Sequence, residues 1–130
     1  MNTSSALRHD DIFVGFKPID DLHLEFQAIL DALNAPDEGD YGTDLVALHE
    51  HMLRHTAAEE EWMLQEGFEH YARHKRAHDH LLDSISDIRR RFDAGDMEAV
   101  RRYVGDLMNW FVIHAREEDL PLAQALKGKA

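Results

Sequence analysis

Hydrophobic residues recur at helical spacing in four segments of the chain, and polar residues fill the positions between them. In the last segment, the apolar steps from Met97 to Phe111 are three, four, three and four residues. This spacing places the apolar side chains on one face of a helix, and no alternating apolar and polar run with hairpin turns predicts strands instead. Glycine or proline marks the borders of the segments: near Pro18, between Pro36 and Gly42, at Gly67, at Gly95 and at Pro121.

Four amphipathic helices joined by short connections predict an all-α fold, an up-down-up-down antiparallel four-helix bundle. A single domain is predicted over residues 1–130, with an N-terminal arm at 1–19, the bundle over about 20–120 and a short C-terminal tail. No sensor or transducer domain is expected to follow. The arm contains apolar residues that are predicted to pack across the bundle: Ile12, Phe13, Val14 and Phe16.

Several polar residues lie on the apolar faces of the predicted helices. When each helix is drawn as a wheel with about 100° per residue, six polar side chains fall on or beside the apolar arc. They are His23, His55, Glu59, His74, His78 and His114.

These six residues are also predicted to lie at one depth of the bundle. In an antiparallel pair of helices, two residues at equal distances from the connecting turn are level with each other. The pair His23 and His55 is centred on residue 39, inside the first predicted turn. The corresponding midpoints for the next two helix pairs fall at Gly67 and Gly95, which are the second and third turns.

The run HYARHKRAHDH offers two competing His-x-x-x-His pairs, His70 with His74 and His74 with His78. The second pair is level with the polar residues of the preceding helix when the turn is placed at Gly67, so this pair is predicted to point inward. The remaining histidines are predicted to lie on the solvent side or at the rim of the core: His9, His49, His51, His70 and His80.

The composition narrows the chemistry that a site formed by these inward residues could perform. The 130 residues include ten histidines and no cysteine, which excludes thiolate metal sites, disulfides and cysteine nucleophiles. The formal net charge of −12 disfavours binding to nucleic acid or to an anionic membrane. No apolar stretch is long enough for a membrane span or a signal core. A cytoplasmic monomer without membrane insertion is therefore expected.

A buried carboxylate among five histidines predicts a metal site, because burying Glu59 without a counter-charge or a metal is costly. Six or seven nitrogen and oxygen donors exceed the four that one zinc takes, and they suit two iron or manganese ions bridged by carboxylates. The segment HAREED supplies a further acid. Glu118 stays on the face of His114, whereas Asp119 points inward only if the helix unwinds before Pro121, which is expected to end this segment. The pattern alone leaves both acids open.

The ordered motifs resemble those of the hemerythrin family, in particular its single-domain bacterial members. The motifs are IDDLHLEF, HTAAEEEWM, HKRAHDHLL and HAREED, one on each predicted helix and in the family's order. The resemblance covers essentially the whole chain, and four motifs with family-like separations are far more specific than any one of them.

The resemblance implies a centre of two iron ions, bridged by Glu59, Asp119 and an oxo or hydroxo group. It thereby favours Asp119 over Glu118. The other implied ligands are His74, His78 and His114 on one iron, and His23 and His55 on the second iron, which keeps an open position for O2.

The resemblance also implies a dry apolar pocket that keeps water and protons away from bound O2. Phe26, Trp110 and Phe111 are candidates for this pocket, because each lies within about one helical turn of an implied ligand. Thr56 stands where the family often has a bulky aromatic residue, and Ala115 is also small. These two residues are expected to open a route for gas or for water.

The predicted function is reversible binding of O2 for transport, storage or delivery, without catalysis. The chain lacks the Glu-x-x-His motif of ferritin-like di-iron oxidases, and a nitrogen-rich ligand set favours ligand binding over oxidation chemistry. The alternative is a di-iron enzyme, or a protein that handles nitric oxide or iron at the same site. The acidic surface is suited to a basic protein partner that receives O2.

Overall fold

The computed structural model describes residues 12–35 and 40–128, and it confirms the all-α four-helix bundle. The long helices are α1 (Lys17–Leu33), α2 (Tyr41–Glu66), α3 (Tyr71–Asp93) and α4 (Met97–His114). A π-helical turn, Ala115–Asp119, joins α4 to a short helix, α5 (Leu120–Lys127). Consecutive helices pack against one another, and α1 also contacts α4, which closes the bundle. None of these helices is both long and apolar enough to cross a membrane.

Local sequence signals set the ends of the helices. Asp40 precedes α2, and its Oδ1 accepts a hydrogen bond from the backbone N–H of Thr43 at 3.1 Å, which caps the helix. Gly67 ends α2 with a φ of 66°, a left-handed conformation that glycine adopts without a steric penalty. Gly95, with a φ of 86°, lies between α3 and α4. The turns predicted at these two glycines are therefore confirmed.

Two apolar clusters fill the bundle, one towards each end. The larger cluster, which includes Leu30, Leu48 and Ile85, lies towards the α1–α2 and α3–α4 connections. The smaller cluster, which includes Ile19 and Met63, lies towards the opposite end. Each fully buried aliphatic side chain contributes roughly 1.5–3 kcal/mol to folding. On α1, α2 and α3, the buried residues between the two clusters are polar, so the apolar clusters enclose a polar layer.

The described part of the N-terminal arm, from Ile12 onwards, buries its apolar side chains to different degrees. Ile12 and Val14 are buried and Phe16 is half-buried, as predicted. Phe13 is 49% exposed, so it is buried less than Ile12 and Val14, and its packing stays a prediction. Neighbouring side chains of a non-helical segment point to different sides, which prevents an arm that lies along a surface from burying all of them.

The chain remains helical beyond Pro121, so the prediction that this proline ends the fourth segment is wrong. Pro121 lies in the first turn of α5, a position where the missing backbone N–H costs no regular helical hydrogen bond. Leu122 and Ala123 are fully buried in the smaller apolar cluster. Part of the predicted C-terminal tail is therefore a helix that closes one end of the core.

Candidate metal centre

The seven predicted ligands form one buried layer between the two apolar clusters. Their exposure lies between 0% and 7%. We call this set the polar layer; its members are His23, His55, Glu59, His74, His78, His114 and Asp119. All four long helices and the π-helical turn contribute to the layer, so its geometry depends on the whole bundle.

The π-helical turn determines which acid of HAREED enters the layer. In a regular α-helix, Asp119 would be rotated by about 140° from His114. The turn Ala115–Asp119 is closed by a hydrogen bond that spans five residues, and its wider winding brings Asp119 back to the inner face. Asp119 is fully buried, whereas Glu118 is only half-buried. The structure therefore places Asp119, and not Glu118, in the polar layer.

Glu59 faces histidines on two sides with its two oxygens. Its Oε1 lies 3.3 Å from Nε2 of His74 and 3.1 Å from Nε2 of His78. Its Oε2 lies 2.9 Å from Nε2 of His55. One carboxylate thus reaches from α2 towards α3 with one oxygen and back along α2 with the other.

Asp119 repeats this arrangement from the other side of the layer. Its Oδ1 lies 3.0 Å from Nε2 of His74 and 3.2 Å from Nε2 of His114. Its Oδ2 lies 2.9 Å from Nε2 of His23. Both carboxylates therefore divide their oxygens between the same two sets of imidazoles.

The layer consequently contains two groups of donor atoms that share Glu59 and Asp119. Within each group, the donor atoms lie within 4.8 Å of one another. The three-histidine group adds His74, His78 and His114, and the two-histidine group adds His23 and His55. Each group could hold a metal ion.

Buried polar atoms of the layer lack hydrogen-bond partners. They are Oε1 of Glu59, Oδ1 of Asp119 and both ring nitrogens of His74, none of which is aligned for a hydrogen bond despite the short distances. Leaving such atoms unpaired in a protein interior is costly. Because the three atoms that face one another are two anionic oxygens and a ring nitrogen, a cation between them would satisfy all three. The donor set therefore fits a metal ion.

The electrostatics of the layer lead to the same conclusion. Burial alone would lower the pKa of His74, but the adjacent carboxylates of Asp119 and Glu59 outweigh burial and raise its pKa to about 9. Burial and the charge of Asp119 would raise the pKa of Glu59, but His55 and His74 hold it well below its usual range. Burial would likewise raise the pKa of Asp119, which histidines also hold low. The layer thus stabilises positive charge next to two ionised carboxylates.

Hydrogen-bond acceptors outside the polar layer fix the orientation of two of its imidazoles. Nδ1 of His23 lies 2.7 Å from the backbone oxygen of Ile12, and Nδ1 of His78 lies 2.9 Å from Oε2 of Glu60. Both partners accept hydrogen bonds, so each Nδ1 carries the proton and each Nε2 presents a lone pair to the layer. This is the tautomer that binds a metal through Nε2. The sequence predictions missed these partners, because a backbone carbonyl has no sequence signature and Glu60 lies beside the inward face.

The described histidines outside the layer follow the prediction with one exception. His80 is exposed, His49 and His70 are half-buried, and His9 lies outside the described residues. His51 is fully buried, so the prediction for this residue is wrong. Its ring stacks on Phe26 of α1, with 5.9 Å between the ring centroids. A bundle helix packs against two neighbours, so its buried arc is wider than the part that faces the bundle axis.

The aromatic candidates for an O2 pocket divide between the two groups. Phe26 and Phe111 contact each other with ring centroids 4.3 Å apart, and Phe111 lies 4.8 Å from His23 of the two-histidine group. Trp110 instead stacks on His114 of the three-histidine group, at 4.7 Å with 13° between the ring planes. Trp110 also lines a surface cleft of about 340 Å³ between α3 and α4. The structure therefore associates the two phenylalanines, rather than Trp110, with the two-histidine group.

The two small candidates are both buried. The hydroxyl of Thr56 donates a hydrogen bond to the backbone oxygen of Met52 at 2.8 Å, so its polar atom is satisfied within α2. Ala115 begins the π-helical turn and packs in the larger apolar cluster. The route for gas or water expected from their small size stays a prediction.

A four-helix bundle around a buried layer of histidines and shared carboxylates defines a helical metal-binding domain. The family model described as the hemerythrin HHE cation binding domain matches residues 14–126, and the chain belongs to the hemerythrin family. The resemblance inferred from the four motifs is therefore confirmed.

Similar proteins support the same membership. The bacteriohemerythrin of Ralstonia nicotianae is 33% identical over 103 residues, which cover 79% of this chain and 75% of that protein. The bacteriohemerythrin of Pseudomonas aeruginosa is 26% identical over 122 residues, which cover 91% and 79% of the two chains. The crystal structure of wild-type hemerythrin matches with a TM-score of 0.79 at 25% identity, over 87% of this chain and 90% of that chain.

Proposed function

We propose that the polar layer binds two iron ions and that one of them binds O2 reversibly, for oxygen transport, storage or delivery without catalysis. The observation that carries this proposal is the division of the carboxylate oxygens. Glu59 and Asp119 each present one oxygen to the three-histidine group and the other oxygen to the two-histidine group. Two bridging carboxylates of this kind are expected between two ions, whereas a single ion would leave half of these oxygens unused.

The two groups offer their ions different numbers of donors. The three-histidine group contains five donor residues and the two-histidine group contains four, with both carboxylates counted in each. Imidazole and carboxylate donors without thiolate are suited to iron. When bound, an iron pair supplies an open coordination position for O2 and the electrons that reversible O2 binding requires. In this proposal, the open position belongs to the two-histidine group.

Apolar rings cover one side of the two-histidine group. Phe26 and Phe111 are 0% and 1% exposed, and they cover the layer on the side of His23. An apolar wall disfavours the entry of water and of charged species, which promote oxidation of the centre. Among the described residues, the buried carboxylates are Glu59 and Asp119 alone, and both already face histidines.

The test is an optical spectrum of the anaerobically reduced, iron-loaded protein before and after exposure to air, with iron counted per chain. We expect two irons and charge-transfer bands that appear with O2 and disappear when O2 is removed. His80→Ala, which changes an exposed histidine of α3, is the matched control and should behave like the unmodified chain.

Two other results would contradict the proposal. Immediate oxidation without an oxygenated form would favour an enzyme or a protein that handles nitric oxide. A chain that takes up no iron would show that the polar layer serves another ion.

A further inference from the structure

His51 is a fully buried histidine just outside the polar layer. Its Nε2 lies 3.0 Å from Nδ1 of His55, one helical turn later on α2. Its Nδ1 lies 2.9 Å from Oε2 of Glu25 on α1, a short contact that is not aligned as a regular hydrogen bond. Glu25 is 45% exposed and also lies 2.8 Å from Nη2 of Arg54. These contacts connect the protein surface with a ring of the two-histidine group.

The carboxylate of Glu25 determines which ring nitrogens along this chain of contacts carry protons. An ionised carboxylate accepts hydrogen bonds and attracts protons, so it favours the proton of a neutral His51 on Nδ1 and leaves Nε2 as an acceptor. His55 then donates from its own Nδ1. The Nε2 of His55 keeps its lone pair, and this atom lies 2.9 Å from Oε2 of Glu59 in the polar layer.

Packing also restricts the ring of His51. It stacks on Phe26 with 12° between the ring planes, and it meets the ring of His55 edge-on, with 5.1 Å between centroids and 88° between planes. A ring held between these neighbours cannot turn freely. The contact with His55 is therefore built into the fold of α1 and α2.

The outer partner of His55 differs from those of other imidazoles in the layer. His23 meets a backbone oxygen, and His78 meets the carboxylate of Glu60 directly. His55 instead meets an imidazole, behind which a carboxylate is placed. Groups that hold the outer nitrogen of a ligand histidine typically change metal affinity by about ten- to a hundredfold when they are removed.

We propose that His51 and Glu25 are positioning residues, which hold His55 in the Nδ1–H tautomer and thereby set the metal affinity of the two-histidine group. This inference rests on the proposed function, because it requires that the two-histidine group binds a metal ion. His51 and Glu25 would thus influence the affinity for the ion that has the open position. The affinity for the ion of the three-histidine group, which His55 does not face, should not depend on them.

The first test measures the tautomer of His55 in the metal-free protein by 15N NMR of labelled histidines. We expect the Nδ1–H form in the unmodified chain and a mixture of tautomers in His51→Phe, which keeps a ring against Phe26 but offers no acceptor. His51→Gln offers a carbonyl oxygen to His55 and should restore the Nδ1–H form. Arg54→Gln is the matched control, because it breaks the outer ion pair with Glu25 and leaves His51 in place.

The second test titrates the same variants with Co(II) and follows both binding steps. In His51→Phe, the affinity for one of the two ions should fall by about ten- to a hundredfold, while the affinity for the other stays unchanged. Glu25→Gln should produce a smaller loss in the same step, and His51→Gln should recover most of the affinity.

The outcomes separate the inference from the function on which it rests. An Nε2–H form of His55 in the unmodified chain, or equal losses at both ions in His51→Phe, would overturn the positioning role. Failure of the unmodified chain to bind any metal ion would overturn the proposed function and the affinity claim with it, and the NMR result would still decide the tautomer claim.

Discussion

The two groups of the polar layer share both carboxylates, yet their surroundings differ. In the three-histidine group, imidazoles pack on one another, with the ring of His74 at 4.5 Å from His78 and 4.9 Å from His114. In the two-histidine group, the rings of His23 and His55 are 5.5 Å apart. The rings of Phe111 and Phe26 lie beside this group, at 4.8 Å from His23 and 6.5 Å from His55.

The difference follows from what each helix contributes at this depth. α3 carries two inward histidines four residues apart and α4 adds one, whereas α1 and α2 contribute one each. The next inward positions near the two-histidine group are Phe26 and Phe111, which cannot bind a metal. In the proposed function, these apolar rings would leave one donor position of the two-histidine ion free for O2. One polar layer thus contains two unequal groups of donors.

The largest effect is expected from the removal of a shared carboxylate. Asp119→Ala deletes oxygens that face both groups, so iron bound per chain should fall from two to none, measured by metal analysis after gel filtration. Glu118→Ala is the matched control, because this neighbour pairs with Arg73 at 3.3 Å outside the layer and its loss should spare both irons. Retention of one iron by Asp119→Ala would show that the groups bind independently.

The next largest effect is expected within the three-histidine group. His74 is fully buried, and its Nε2 lies 3.0 Å from Asp119 and 3.3 Å from Glu59. His74→Ala should lose at least the ion of this group, so the iron count should be one or none. His80→Ala, on the exposed side of the same helix, should keep two irons. Two irons in the His74 variant would show that the layer is assigned wrongly.

A pH series should distinguish the metal-free layer from the loaded one. The pKa of His74 is raised from 6.5 to about 9 in the fold, so its protonated form stabilises the metal-free protein. This stability is fully present below about pH 6.5 and is lost as the pH rises through about 9. Urea denaturation should show the free energy of unfolding fall by on the order of 3 kcal/mol across this range.

A bound metal ion would take the lone pair of this ring in place of the proton. The alkaline loss of stability through His74 should then be absent. A metal-free protein whose stability does not change between neutral and alkaline pH would contradict the charge arrangement described for the layer.

The smallest effect is expected from the aromatic rings. Phe111→Leu removes a ring beside the two-histidine group, so the oxygenated form should decay faster, and the fold should lose about 1 kcal/mol of stability. Trp110→Leu changes a ring beside the three-histidine group, and the decay should stay close to that of the unmodified chain. The measurement is the loss of the O2-dependent absorption with time. Equal decay in the two variants would remove the distinction between the groups.

Most of the fold could be predicted because its signals are local. The apolar period defined the four helices, and the glycines at 67 and 95 marked turns that require or favour a left-handed backbone. Antiparallel helices rise equally per residue, so equal distances from a turn were enough to place residues of four helices in one layer. The histidines of that layer were predictable for the same reason.

The remaining features depend on tertiary packing. The local preference of Pro121 suggests an end of the helix, but burial of Leu122, Ala123 and Asp119 outweighs it and requires a widened turn instead. The pattern left Glu118 and Asp119 open, and the family resemblance favoured Asp119. The burial of His51 depends on how α1 lies over one flank of α2, which the period of a single helix cannot show.

The most direct test of two unequal ions on shared carboxylates is a crystal structure of the iron-loaded protein with anomalous data at the iron edge. We expect two iron peaks within the polar layer, both in contact with Glu59 and Asp119. One ion should bind three imidazole nitrogens and the other ion two. A single peak, or two ions with equal numbers of histidine ligands, would contradict this expectation.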